Sequence, residues 1–147
     1  MSEWGIGASL PRKEDHRFLH GRGNYVGDMR LSGMKELAFV RSPYAHARIT
    51  AVHKPEGKEH LVFAAADLVG VKPMRAPSNL PGYKASDFPA LAGERTRFVG
   101  ETVVACIGDT RAEAEDLAQE VIVDYEELAP VVDMLEARKP GSPLVHE

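Results

Sequence analysis

At 147 residues, 44% hydrophobic and 27% charged, the chain has the length and composition of one ordinary globular domain. No apolar run approaches the roughly 20 residues of a membrane-spanning helix, and Met1-Ser2-Glu3-Trp4 lacks the basic and then apolar regions of a secretory leader. The net charge of −4 hides +4 over residues 1–90 and −8 over residues 91–147; the basic residues are scattered rather than gathered on one element, which argues against a nucleic-acid binder, and the asymmetry reads as a solvated surface, the sharper alternative being two differently charged faces that meet different neighbours.

Residues 1–35 are rich in glycine, with Gly5, Gly7, Gly21, Gly23, Gly27 and Gly33. Gly5-Ile6-Gly7 is only a fragment of a dinucleotide fingerprint, because Leu10 stands where the third glycine belongs and no strand precedes it. Pro11 to Leu19 can form one or two helical turns before Gly21 ends them, and Asn24 to Asp28 reads as a short extended piece and a turn. So few apolar residues leave this extended segment little core of its own.

Glu36 to Val40 reads as a strand, Ile49 to Val52 as a second and His60 to Ala64 as a third, closed by a helical turn over Ala65 to Leu68. Residues 70–93 hold Pro73, Pro77, Pro81 and Pro89 and read as a long irregular loop, of a length that is uncommon unless functional or held by a partner. Thr102 to Ile107 is an apolar, β-branched run with the profile of a strand buried on both faces, ended by Gly108-Asp109. Cys106 lies inside this run and reads as a core residue rather than a reactive thiol; one cysteine excludes a disulfide framework and, with no leader, predicts a cytoplasmic protein.

Thr110 and Glu113 have capping-box spacing. Ala114, Leu117, Ala118 and Val121 then fall on one helical face, with Arg111, Glu113, Asp116 and Glu120 facing away. Val121 to Tyr125 reads as the next strand, so Arg97 to Pro130 predicts a β-α-β nucleus. Val131 to Arg138 predicts a short helix, and residues 139–147 a linker.

No catalytic constellation stands out. The histidines His16, His20, His46, His53, His60 and His146 include no zinc-protease motif; His16 and His20 share i, i+4 spacing but read as an exposed pair. Ser9 and Ser42 sit in no nucleophile elbow, and no phosphate loop is present. Glu113, Glu115, Asp116, Glu120, Glu126 and Glu127 follow helix-surface or turn spacing and read as solvated.

Three blocks carry a family resemblance. Gly5 to Asp28 contains Arg12-Lys13-Glu14-Asp15 and Gly21-Arg22-Gly23-Asn24-Tyr25-Val26-Gly27-Asp28, in the pattern RxED…GxGxYxxD; Phe39 to Ile49 reads FVRSPYAHARI; Val99-Gly100-Glu101 and Asp124-Tyr125-Glu126-Glu127-Leu128 flank the central unit. In register over essentially the whole chain, they resemble the amino-terminal part of the large, molybdenum-cofactor-binding subunit of the xanthine dehydrogenase/aldehyde oxidase/carbon monoxide dehydrogenase family. The resemblance implies an α+β fold, a single α/β-hammerhead domain over residues 36–138 with a mixed sheet and a few short helices.

In that family a much larger region follows, which binds molybdopterin or its cytosine dinucleotide and supplies the catalytic glutamate. Those residues have no counterparts here, so this chain is expected to bind no cofactor alone and to be a split subunit or a truncation. The implied partners are a catalytic molybdenum-domain polypeptide, an iron–sulfur subunit with a 2Fe-2S cluster and an FAD subunit. The implied activity of the complex is hydroxylation of a purine, N-heterocycle or aldehyde with oxygen from water. Arg41, Ser42, Pro43, His46, Arg48, Gly100 and Glu101 lie in the motifs without core periodicity and are candidate interface residues, the plainer reading being that they stabilise turns within the domain. A stand-alone binding or assembly module is the rival function; an independent enzyme is disfavoured, because no acid–base or metal cluster is present.

Overall fold

A computed structural model describes residues 5–146; Met1 to Trp4, on which the expectation of no secretory leader falls, and Glu147 lie outside the described residues. The chain divides into two units, Met1–Met34 and Lys35–Glu147. In the first, the Asp15 carboxylate accepts from the Arg12 backbone N–H (3.0 Å) and from Arg12 Nε (2.8 Å) where helix α1 (Asp15–Leu19) begins. Gly21, at φ +66°, turns the chain after it. A 3-10 turn over Val26–Asp28 follows, its Asp28 carboxylate accepting from the Tyr25 N–H. No described residue of this unit is buried, in keeping with its few apolar residues.

The second unit contains strands β1 (Glu36–Arg41), β2 (Ala47–His53), β3 (Val62–Ala64), β4 (Met74–Arg75), β5 (Asp87–Phe88), β6 (Arg95–Thr96) and β7 (Thr102–Gly108), then helix α2 (Arg111–Glu120) and strand β8 (Ile122–Glu127). They form sheets in the orders β1-β7-β3 and β6-β2-β8 and a small ribbon β4-β5. The pairings are antiparallel. The α+β hammerhead architecture therefore holds, with the expected sheet divided between separate antiparallel sheets.

That division corrects the expected β-α-β nucleus. Strand, helix and strand follow in the predicted order, but β7 is the centre of one sheet and β8 an edge of the other. Helix α2 therefore carries the chain between sheets instead of returning it to a parallel neighbour.

The core explains the arrangement. Val103, Val104 and Cys106 of β7 are buried with Val62 of β3, Ala92, Leu117 of α2 and Val121. Val40, Ile49, Val52, Val123 and Tyr125 pack against them, so both sheets share one apolar cluster. Fully burying a Val or Leu side chain contributes about 1.5–3 kcal/mol. Where β7 gives way to α2, a Cβ on Gly108 would meet Ala114 N at 2.6 Å and Thr110 O at 2.9 Å, so only glycine lets the helix start this close to the strand.

The predicted capping box is present: the Glu113 N–H donates to Thr110 Oγ1 (3.2 Å), and Glu113 Oε2 accepts from the N–H groups of Thr110 (3.1 Å) and Asp109 (2.9 Å). Ala114 and Leu117 are buried and Arg111, Asp116 and Glu120 exposed.

Three boundaries differ from expectation. His60 and Leu61 belong to a 3-10 turn (Glu59–Leu61) and β3 starts only at Val62. The loop of residues 70–93 contains the β4-β5 ribbon, two residues to a strand. The helix expected over Val131 to Arg138 is a single 3-10 turn at Glu136–Arg138. There the Asp133 carboxylate accepts from the N–H groups of Leu135 (2.7 Å) and Glu136 (2.9 Å), N-cap-like bonds that start the turn at Asp133 and not at Val131. The same two bonds favour the ionised carboxylate and hold Asp133 below its usual pKa.

Replacing Thr110 by Ala removes a cap acceptor and is expected to cost about 1 kcal/mol, or roughly 2–4 °C in Tm, read by thermal unfolding. Cys106 is fully buried, and burial raises its thiol pKa, which disfavours the reactive thiolate. A thiol reagent at pH 8 should therefore leave the native protein unmodified and titrate one thiol after denaturation; rapid native labelling would contradict this packing.

Candidate functional site

Four of the seven motif residues are tied together where β1 ends and β7 begins. The Ser42 N–H donates to Glu101 O (2.9 Å), the Gly100 N–H to Ser42 O (2.8 Å) and Arg41 Nη1 to Gly100 O (2.8 Å). This crossing is what antiparallel pairing of β1 with β7 brings about, Arg41 lying opposite Thr102 beyond a shift in register. Gly100 has φ +89°, a conformation that a side chain would strain.

Side chains then lock the junction. Ser42 Oγ is buried, accepts from the Tyr44 N–H (3.1 Å) and lies 3.1 Å from Thr96 Oγ1. Glu101 is 3% exposed; its Oε2 accepts from the Arg97 N–H (2.5 Å) and its Oε1 lies 4.0 Å from Arg97 Nη1. A buried carboxylate needs such partners, since an uncompensated one costs several kcal/mol.

His46 and Arg48 follow on β2 and its approach. His46 is buried, with Nδ1 3.0 Å from Ala129 O; a carbonyl only accepts, so Nδ1 carries the proton. The backbone carbonyl of His46 accepts from the Leu128 N–H (2.9 Å), extending the pairing of β2 with β8. Arg48 is exposed and faces Glu126 at 3.6 Å. The seven residues thus separate by exposure: Ser42, His46 and Glu101 are buried in internal bonds, while Arg41, Pro43 and Arg48 are exposed.

Thr96, Arg97, Tyr44 and Tyr125 also belong to this region and were not singled out in the sequence. β6, which carries Thr96, is two residues long, too short for any period to register. The rings of Tyr44 and Tyr125 lie 5.2 Å apart, and burial pushes the Tyr125 phenol pKa up. Tyr125 Oη, Arg97 Nε and His46 Nε2 are buried without a hydrogen-bond partner.

The remaining ionisable groups are local. Glu115 pairs with Arg111 (2.6 Å) and Glu120 with Lys58 (2.7 Å), while Asp116 and Glu127 are exposed. His16 and His20 are exposed, their rings stacked at 4.3 Å, with His20 Nδ1 2.7 Å from His16 O. A hollow of about 420 Å³ beside α2 is lined by Leu61, Ile107 and Leu117, and its lysines are paired, Lys35 with Asp109 and Lys58 with Glu120. Among the described residues no group of three or more His, Cys, Asp or Glu is placed to hold a metal ion.

Comparison with known proteins places this geometry. Residues 20–129 match the family "Aldehyde oxidase and xanthine dehydrogenase, a/b hammerhead domain". The carbon monoxide dehydrogenase large chain of Hydrogenophaga pseudoflava is 39% identical over 139 residues, covering 92% of this chain and 17% of that protein. Quinoline 2-oxidoreductase from Pseudomonas putida 86 superposes with a TM-score of 0.82 at 39% identity, over 93% of this chain and 18% of the other. A Cu,Mo-CO dehydrogenase superposes with a TM-score of 0.75 at 34% identity, over 95% and 18%. The chain spans less than a fifth of the length of each of these relatives. By fold, by motif and by these matches, the chain belongs to the aldehyde oxidase and xanthine dehydrogenase family of molybdenum hydroxylases and carries its α/β hammerhead domain.

Proposed function

We propose that this chain is the hammerhead portion of a molybdenum-containing hydroxylase, giving structural support to a catalytic molybdenum domain outside these 147 residues. The observation that carries the reading is the match over 92% of this chain to 17% of a carbon monoxide dehydrogenase large chain. The complex hydroxylates a purine, N-heterocycle or aldehyde with oxygen drawn from water; likeness to a quinoline 2-oxidoreductase favours a nitrogen heterocycle. The molybdenum cofactor resides in the partner polypeptide, and electrons leave through an iron–sulfur subunit and an FAD subunit. The assembly works in the cytoplasm, without a nucleic-acid or membrane partner; no helix among the described residues is long and apolar enough to cross a membrane.

Within this reading the motif residues have two duties. Ser42, His46, Gly100 and Glu101 hold the β1–β7 and β2–β8 junctions in shape, and Arg41, Pro43 and Arg48 are turned outward to the catalytic region.

Two measurements test the proposal. Purification of the chain from its native host is expected to bring down a larger polypeptide together with molybdenum by elemental analysis; a chain recovered alone and free of molybdenum would overturn it. Glu101→Ala, which leaves the buried Arg97 amide without its acceptor, should destabilise the isolated chain by about 2–3 kcal/mol in denaturant titration. Arg48→Ala, which removes an exposed pair, should cost at most about 1 kcal/mol.

A further inference from the structure

Among the described residues of Lys35–Glu147, ten apolar side chains are buried while fifteen large ones are exposed. Single exposed apolar residues are ordinary, but contiguous ones mark an interaction surface. Six residues here are linked by contact, by strand register or by adjacency along the chain. The Arg41 guanidinium lies 5.4 Å from the centre of the Phe39 ring and donates to Gly100 O, next in sequence to Val99 and Phe98. The Phe98 ring stacks on Phe88 at 6.0 Å, and Phe88 lies opposite Met74 in the β4-β5 ribbon. The five apolar members are 39–64% exposed. Two phenylalanines outside the core stacked on one another, with an arginine over a third, is the composition that interface centres favour.

Beyond the stack of Phe88 on Phe98, the ribbon has little support from the rest of the chain. Each strand has two residues, all exposed, and the ribbon pairs with neither larger sheet. A two-stranded ribbon in water is marginal at best. Its cross-strand ion pair, Arg75 Nε to Asp87 at 2.6 Å, is solvent-exposed on both sides and contributes about 0–1 kcal/mol. Residues 70–99 also carry five Lys and Arg against two Asp and Glu; Arg75 and Arg97 are paired with Asp87 and Glu101, and the remaining positive excess suits a partner with an acidic rim.

We infer that the strip Phe39–Arg41–Val99–Phe98–Phe88–Met74 is the face on which the molybdenum-cofactor-binding polypeptide docks, with Phe98 and Arg41 as its energetic centre. The inference rests on the function proposed above and names the surface through which it is exercised. In each relative compared, the matched part is continuous with a remainder more than four times its length. That remainder is the occupant large enough to cover a strip running from β1 to the ribbon.

The test mixes the purified chain with the molybdenum-cofactor-binding polypeptide of the same host and reads affinity by calorimetry and amide hydrogen exchange on the complex. Phe98→Asp and Arg41→Glu are each expected to weaken binding roughly 100-fold, while Asp116→Lys on the outer face of α2 stays within about twofold. Exchange should slow on binding at residues 74–75, 87–88 and 98–100 of the unsubstituted chain, a readout that stands even if a variant fails to fold. Unchanged affinity in both variants together with unprotected ribbon amides would overturn the strip while leaving the proposed function intact. Failure of the unsubstituted chain to bind would overturn both. Dimerisation of the chain alone, abolished by Phe98→Asp, would assign the strip to a second copy and overturn the inference.

Discussion

Burial of β7 is the constraint on which the larger unit depends. Val103, Val104 and Cys106 are almost inaccessible, and they occupy the middle of a sheet whose neighbours β1 and β3 supply the ladder on either side. A strand of this kind has no face to offer to water, so everything adjoining it must be apolar, small or paired. Gly108 is small so that α2 can start against it, and Glu101, immediately before β7, is paired with Arg97. Leu117 and Val121 then reach the same cluster from the helix, and Val123 and Tyr125 from the second sheet. One strand thus links two sheets that share no backbone pairing.

Polar locking at the ends of that core complements its apolar middle. Ser42, Gly100 and Glu101 exchange backbone bonds across the β1–β7 junction, and His46 bonds the segment beyond β8 through Ala129 and Leu128. Inside a low-dielectric region such bonds are worth keeping chiefly because losing one leaves a buried group unpaired. The motif FVRSPYAHARI therefore does two kinds of work. Its buried members hold backbone segments together, while Arg41, Pro43 and Arg48 are exposed, Arg41 donating to Gly100 O and Arg48 facing Glu126. The domain's ionisable side chains form separate surface pairs, several of them between distant segments, such as Lys35 with Asp109 and Lys58 with Glu120.

Much of this was legible in the residues. The apolar run Thr102 to Ile107, the Thr110–Glu113 capping box and the apolar spacing of Ala114, Leu117 and Val121 identify β7 and α2 because each signal acts within a few residues of chain. The three family blocks likewise pointed to the hammerhead fold, and the likeness to known proteins bears that out. The burial of Ser42 at the β1–β7 junction was not legible, because its partners Thr96 and Glu101 lie more than fifty positions away along the chain. The helix expected over Val131 to Arg138 is shortened for a local reason, since Asp133 caps the turn and places its start after Val131 and Val132.

By itself, then, the sequence determined the elements whose causes are local: caps, apolar periods, glycine turns and the family to which they belong. Only the tertiary structure decided that β7 and β8 lie in different sheets, because strand pairing depends on which distant edge is available and not on the period of either strand. It also decided which motif residues are buried and which are outward, and it joined Phe39, Phe98, Phe88 and Met74 from three separate segments into one exposed strip. Periodicity assigns a side chain to a face of its own element; what that face meets is settled by long-range packing.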